Sequence, residues 1–131
     1  RAYLLARAIQ LFMPGVPQIY YVGLLAGEND MDLLAHSGVG RDINRQRFSP
    51  ADIEAALQKP VVRDLLALIR LRNTCTAFNG RFELLPSPDT TLHLQWVCGA
   101  SKAELFVDFT DLSYQIACDD GSSGTVHTFH A

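Results

Sequence analysis

Residues 1–22 read RAYLLARAIQLFMPGVPQIYYV, and this stretch decides the fold class. Residues 1–13 are rich in Leu and Ala, both good helix formers, and Pro14-Gly15 stops them. Apolar residues run almost all the way round this helix, so it is expected to be buried on two sides. After Pro17, the run Gln18-Ile19-Tyr20-Tyr21-Val22 is β-branched and aromatic, with the length of a strand covered on both faces. A helix feeding such a strand is half of an α/β unit. The helix also opens at Arg1 with no initiator methionine, no capping residue and no signal-peptide layout. The chain therefore reads as the tail of a longer protein.

Working outward, residues 23–48 form a long connection marked by Gly23, Gly27, Gly38 and Gly40, with a helical turn expected around 31–36. Ser49-Pro50-Ala51-Asp52 is a helix start: Ser49 caps, Pro50 takes the first helical position and Asp52 completes a capping box. A short helix through Gln58 follows, and Pro60 opens a longer one with apolar residues at helical spacing and Arg70 and Arg72 in its last turn. Beyond Asn73 the pattern changes. Residues 81–85, 91–98, 103–109, 112–118 and 124–130 read as short strands, with period-two alternation through Thr91-Leu92-His93-Leu94-Gln95-Trp96 and a turn at Asp120-Gly121. Two parts are expected, an α/β segment over 1–76 and an antiparallel β module over 77–131.

The totals narrow the function classes. The 131 residues are 48% apolar and 19% charged, which suits a folded globular chain rather than disorder. The apolar run from Tyr3 to Val22 is broken by Arg7, Gln10, Pro14, Gly15, Pro17 and Gln18, a poor membrane span. Eleven basic against 14 acidic residues leave a net charge of −3, with no electrostatic case for nucleic acid or anionic lipid. The three cysteines are odd in number and form no CxxC pair, so neither a disulfide framework nor a zinc knuckle is expected, and a reducing cytoplasm fits them.

Few residues are arranged for chemistry. His36, His93, His127 and His130 lack metal-ligand spacing and read as ordinary histidines. Glu28, Asn29, Asp30 and Asp32 concentrate oxygen ligands but miss the alternation and central glycine of a calcium loop, so a solvated acidic loop is the reading. Residues 40–47, GRDINRQR, place three arginines in the long loop that leaves a buried strand. Composition alone makes this a solvated turn. Its position offers another reading, because in open sheets and (β/α) barrels that is the face where ligands bind.

Two motifs then carry a resemblance. PGVPQIYYVGLLAGENDMDLL (14–34), followed by GRDINR (40–45), resembles sucrose phosphorylases of the α-amylase superfamily of glycoside hydrolases. Lys59-Pro60-Val61-Val62, and the stretch from Arg72-Asn73 through Ala77-Phe78 to Gly80, extend it, so it covers about residues 2–80. Beyond Gly80 only the kind of domain matches. The resemblance implies the tail of a (β/α)8 barrel, with its last strand and flanking helices, followed by a C-terminal antiparallel β domain. It implies an enzyme that reversibly converts sucrose and phosphate into α-glucose 1-phosphate and fructose by retaining double displacement. In the family, the aspartate nucleophile, glutamate acid/base and stabilising aspartate precede the stretch matching Arg1, so no catalytic residue maps onto this chain.

One substrate residue does map. The arginine of the family's GRDINR loop, which holds glucosyl hydroxyls in the donor subsite, falls on Arg41. Asp42, Asn44 and Arg45 match the motif and take loop-shaping roles. Family members commonly continue His-Tyr-Tyr where this chain has Gln46-Arg47-Phe48, a departure that bears on acceptor choice. The resemblance implies no metal or organic cofactor. It implies sucrose, phosphate, glucose 1-phosphate and fructose as partners, admits a homodimer, and involves neither nucleic acid nor membrane. The rival readings are a hydrolase or transglucosidase of the same superfamily, a sucrose-phosphate phosphorylase, and a non-catalytic carbohydrate-binding or interaction module. The last needs exposed aromatics for sugar stacking, and the alternation around Trp96 favours burial instead.

Overall fold

The computed structural model describes residues 2–119 and, for 126–130, the backbone alone. The expected turn at Asp120-Gly121 and the side chains of His127 and His130 lie outside the described residues. In chain order the elements are α1 (Ala2–Phe12), α2 (Tyr21–Leu24), α3 (Met31–Ser37), a 3-10 turn (Gly40–Asn44), α4 (Pro50–Gln58), α5 (Pro60–Thr74), a second 3-10 turn (Thr76–Asn79), and β1 (Arg81–Leu85), β2 (Thr91–Cys98), β3 (Ser101–Asp108), β4 (Ser113–Asp119) and β5 (Val126–His130). No described helix is long and apolar enough to cross a membrane. The residues group into two compact units, Gln18–Leu66 in one and Arg1–Pro17 with Ala67–Ala131 in the other, so the boundary falls inside α5.

The larger unit is built on the β module. Its five strands form one antiparallel sheet in sequence order, each paired with its neighbour. Period two divides the faces. Leu94 and Trp96, Ala103, Leu105 and Val107, and Tyr114, Ile116 and Cys118 point inward and are buried. The outer face carries a polar ladder centred on Glu104. It accepts from Gln95 at 3.0 Å and pairs with Lys102 at 3.0 Å and His93 at 3.3 Å. Partial burial pushes the Glu104 carboxyl up, and the hydrogen bonds from Lys102 and Gln95 outweigh it, holding the group below the usual carboxylate range.

α1 lies against β3 through one stripe, Leu4, Leu5, Ala8, Leu11 and Phe12, while Ala2 and Ala6 are exposed. This corrects the expectation of burial on two sides. Small alanines make a helix apolar all round without demanding cover, and the larger side chains alone define the buried stripe.

The end of α1 is tied to the sheet. Trp96 Nε1 donates to the Phe12 carbonyl at 2.7 Å, one of the carbonyls a helix terminus leaves unmatched. The Arg72 guanidinium lies 4.4 Å from the Phe78 ring centre and 5.0 Å from that of Trp96, and it donates through Nη2 to the Gly15 carbonyl at 3.1 Å. Burial pulls its pKa below the ordinary arginine value. Gly80 sits so close to β2 that a Cβ there would be driven into the Val97 carbonyl. The stretch from Arg72-Asn73 to Gly80 is thus a packing device, with Arg72 stacked on Phe78, Ala77 buried, and Gly80 against the neighbouring strand.

Two expectations are corrected here. Residues 18–22 do not pair as a strand: no ladder is formed up to Tyr20, which is extended at φ −73° and ψ 146°, and the backbone turns helical from Tyr21. A buried strand needs neighbours for its N–H and C=O groups, and the sheet of the described residues is closed on β1 to β5. Val16 and Tyr20 are open, 96% and 52% exposed, while Val22 is buried. Second, Cys75 and Cys118 form a disulfide across 43 residues. An odd cysteine count argues against a framework, yet one bridge needs two of the three, and Cys98 remains the free thiol. The fold brings the residue after α5 to the inner face of β4, where both sulfurs are buried.

Candidate functional site

The unit spanning Gln18–Leu66 holds the long connection, which folds into a compact loop. Asp30 caps α3, its carboxylate accepting from Leu33 N at 2.8 Å, and Gly38 ends that helix in the left-handed conformation at φ 66°. The Asp30 N–H donates to the Ile43 carbonyl at 2.8 Å, tying α3 to the 3-10 turn of GRDIN. Asp42 and Arg45 pair at 3.6 Å within that turn. Phe48 folds back over Gly27, where a Cβ would lie 2.9 Å from its ring, so the glycine allows the approach. Downstream, Ser49 and Asp52 form the expected capping box, with Ser49 N–H donating to the Asp52 carboxylate at 2.9 Å.

These contacts leave an open concavity of about 820 Å³ lined by Tyr20, Tyr21, Asp30, Leu33, Asp42, Arg45, Gln46 and Arg47. This is within the range of small-molecule sites. The Tyr20 and Tyr21 rings meet at a 52° tilt with centres 4.5 Å apart, and Tyr21 donates its hydroxyl to the Gln46 carbonyl at 2.9 Å. Loss of solvent and the neighbouring Tyr20 push the Tyr21 hydroxyl above its ordinary pKa, against the opposing pull of Arg45 and Arg47.

Arg41 sits in the same 3-10 turn, exposed. It engages no hydrogen bond or ion pair among the described residues and is not part of the concavity's lining. Asp42 and Arg45 do line it, and their mutual pair shapes the loop. Asp30 of the acidic group is occupied as a helix cap, and His36 shares a hydrogen bond with the Asp32 carbonyl at 2.8 Å. Trp96 is 6% exposed, so it offers no stacking platform for a sugar. The sequence reading missed Tyr20, Tyr21, Gln46 and Arg47 as neighbours. Read as a strand, Tyr20 and Tyr21 give no sign of their meeting with residues 46–48.

No family model matches the chain. It is 53% identical over 108 residues to the sucrose phosphorylase of Agrobacterium vitis, covering 82% of this chain and 22% of that protein. It is 45% identical over 123 residues to the glucosylglycerol phosphorylase of Marinobacter adhaerens, covering 94% of this chain and 26% of the relative. The crystal structure of sucrose 6F-phosphate phosphorylase from Thermoanaerobacter thermosaccharolyticum superposes with a TM-score of 0.92 at 40% identity, covering 98% of this chain and 26% of that one. The resemblance to sucrose phosphorylases drawn from the motifs is borne out. The chain spans about a quarter of the length of the relatives it matches.

Proposed function

We propose that this chain is the C-terminal part of a glucosyl-transferring phosphorylase that moves glucose from sucrose, or a close glucoside, to phosphate with retention of configuration. The observation that carries the reading is the 53% identity to a sucrose phosphorylase over 108 residues, a stretch that accounts for most of the chain. Residues 1–76 then complete a (β/α)8 barrel, with 18–22 as its last strand once parallel neighbours stand on either side, and 77–131 form the domain that follows. Arg41 holds hydroxyls of the glucosyl ring, presenting a planar fork of donors that fixes the anomeric carbon before the nucleophile. The nucleophile, the acid/base and the stabilising carboxylate come from the preceding part of the enzyme, so the chemistry resides there. The substrates are a glucoside and phosphate.

The test compares the full-length enzyme with residues 1–131 alone, each supplied with sucrose and phosphate, following glucose 1-phosphate. Product is expected from the full-length enzyme and none from the segment above a mock preparation. Turnover by the segment would place the catalytic carboxylates within it and contradict the reading.

A further inference from the structure

The concavity beside the GRDINR turn is lined by four charged side chains, Asp30, Asp42, Arg45 and Arg47, and three of them are already matched. The Asp30 carboxylate accepts from the backbone of α3. Asp42 and Arg45 neutralise each other at 3.6 Å. Arg47 is exposed and makes no hydrogen bond or ion pair among the described residues. Its charge is nonetheless felt inside the concavity, since it opposes the rise in the Tyr21 hydroxyl's pKa that burial and Tyr20 cause. Arg47 thus lines a space sized for a small molecule with a permanently charged, planar set of donors that meets no acceptor among the described residues.

We propose that Arg47 is a specificity-determining residue whose guanidinium receives the phosphoryl group of a substrate, a proposal that rests on the phosphorylase reading above. A guanidinium fork matches two phosphoryl oxygens at once, whereas the hydroxyls of a neutral acceptor give it no charge to meet. The phosphoryl group has two sources in such a reaction: free phosphate as co-substrate, or a phosphate ester on the sugar that leaves. Tyr20 and Tyr21 supply the apolar faces against which a sugar ring would lie, and the backbone around Gln46 holds Tyr21 in place.

The experiment uses the full-length enzyme that carries this segment, as wild type, Arg47→Ala, Arg47→Met and Arg47→Lys, each checked by circular dichroism. Phosphorolysis is measured with sucrose and with sucrose phosphorylated on the fructosyl 6-position, varying inorganic phosphate. If the ester is the source, Arg47→Ala and Arg47→Met lower the kcat/KM preference for the phosphorylated donor about tenfold, as one charge-assisted contact should. If free phosphate is the source, they raise the KM for phosphate about tenfold with either donor. Arg47→Lys recovers part of either loss, because it keeps the charge and loses the fork. In parallel, calorimetric titration with inorganic phosphate and with fructose 6-phosphate reads affinity without turnover. Should the wild type transfer no glucose from either donor, the phosphorylase reading fails. The titration still decides the role of Arg47, since weaker binding in Arg47→Ala supports it. Folded variants with affinities, KM for phosphate and donor preference all within about twofold of wild type overturn the proposal.

Discussion

Replacing Arg41 by alanine in the full-length enzyme should lower kcat/KM for sucrose at least ~10²-fold, and Arg41→Lys should restore only part of it. A charge-assisted hydrogen bond to a ring hydroxyl is worth about 1.5–3 kcal/mol, and a planar fork can make more than one. Two such contacts account for a loss of this size without any change in the reacting groups. Arg41 is suited to the role because nothing in its own loop uses it. Arg45, the other arginine of GRDINR, is tied to Asp42, whereas Arg41 stands exposed on the same turn without a partner. The lysine variant keeps the charge but offers a single point of contact, so it tests geometry against electrostatics. With sucrose as donor, Arg47→Ala should be milder. Steady-state kinetics on folded variants check the order. Near-wild-type kcat/KM in Arg41→Ala would reduce the GRDINR turn to a solvated loop.

The second large effect concerns stability. Breaking the Cys75–Cys118 bridge should lower the unfolding free energy of the chain by about 4 kcal/mol, the loop-closure entropy of a cross-link spanning 43 residues. The bridge joins the residue after α5 to the inner face of the sheet, so its loss frees a long stretch of the unfolded chain. Urea unfolding of the oxidised chain, compared with chain refolded in a reductant, measures the difference. A thiol count in denaturant identifies the state at the start: one reactive thiol, Cys98, in the oxidised chain and three after reduction. Coincident unfolding curves, with three thiols reactive from the outset, would show that the two cysteines sit together without bonding.

Local signals carried the helices and the sheet into view. Ser49 and Asp52 mark the start of α4 because a capping box is made entirely within four residues. The alternation Thr91 to Trp96 reveals β2 because each side chain reports its own face. What stayed hidden depends on residues far away in the chain. Gln18 to Val22 has strand character but no strand partner among the described residues, so Tyr20 is extended yet unpaired and the chain turns helical at Tyr21. Cys75 and Cys118 have no motif between them; only the packing of the β module brings them together. At the candidate site, Arg41 was legible through its motif. The concavity was not, because it arises where Tyr20 and Tyr21 meet residues 42–47, two stretches that read separately as a strand and a charged turn. The run from Arg72 to Gly80 shows the reverse case. It looks like a signature motif, and the structure gives it a packing role in the stacking of Arg72 on Phe78 and the close approach of Gly80 to β2.

Transfer of glucose to phosphate with retention, by the enzyme to which we assign this segment, leaves its mark on the product. The most direct measurement is the anomeric configuration of the product, followed by proton NMR as the full-length enzyme acts on sucrose in phosphate buffer. Double displacement at one carbon inverts twice, so the first product formed should be α-glucose 1-phosphate, appearing together with fructose. Initial formation of the β-phosphate would contradict the two-step mechanism, and free glucose in place of glucose 1-phosphate would contradict the phosphorylase reading itself.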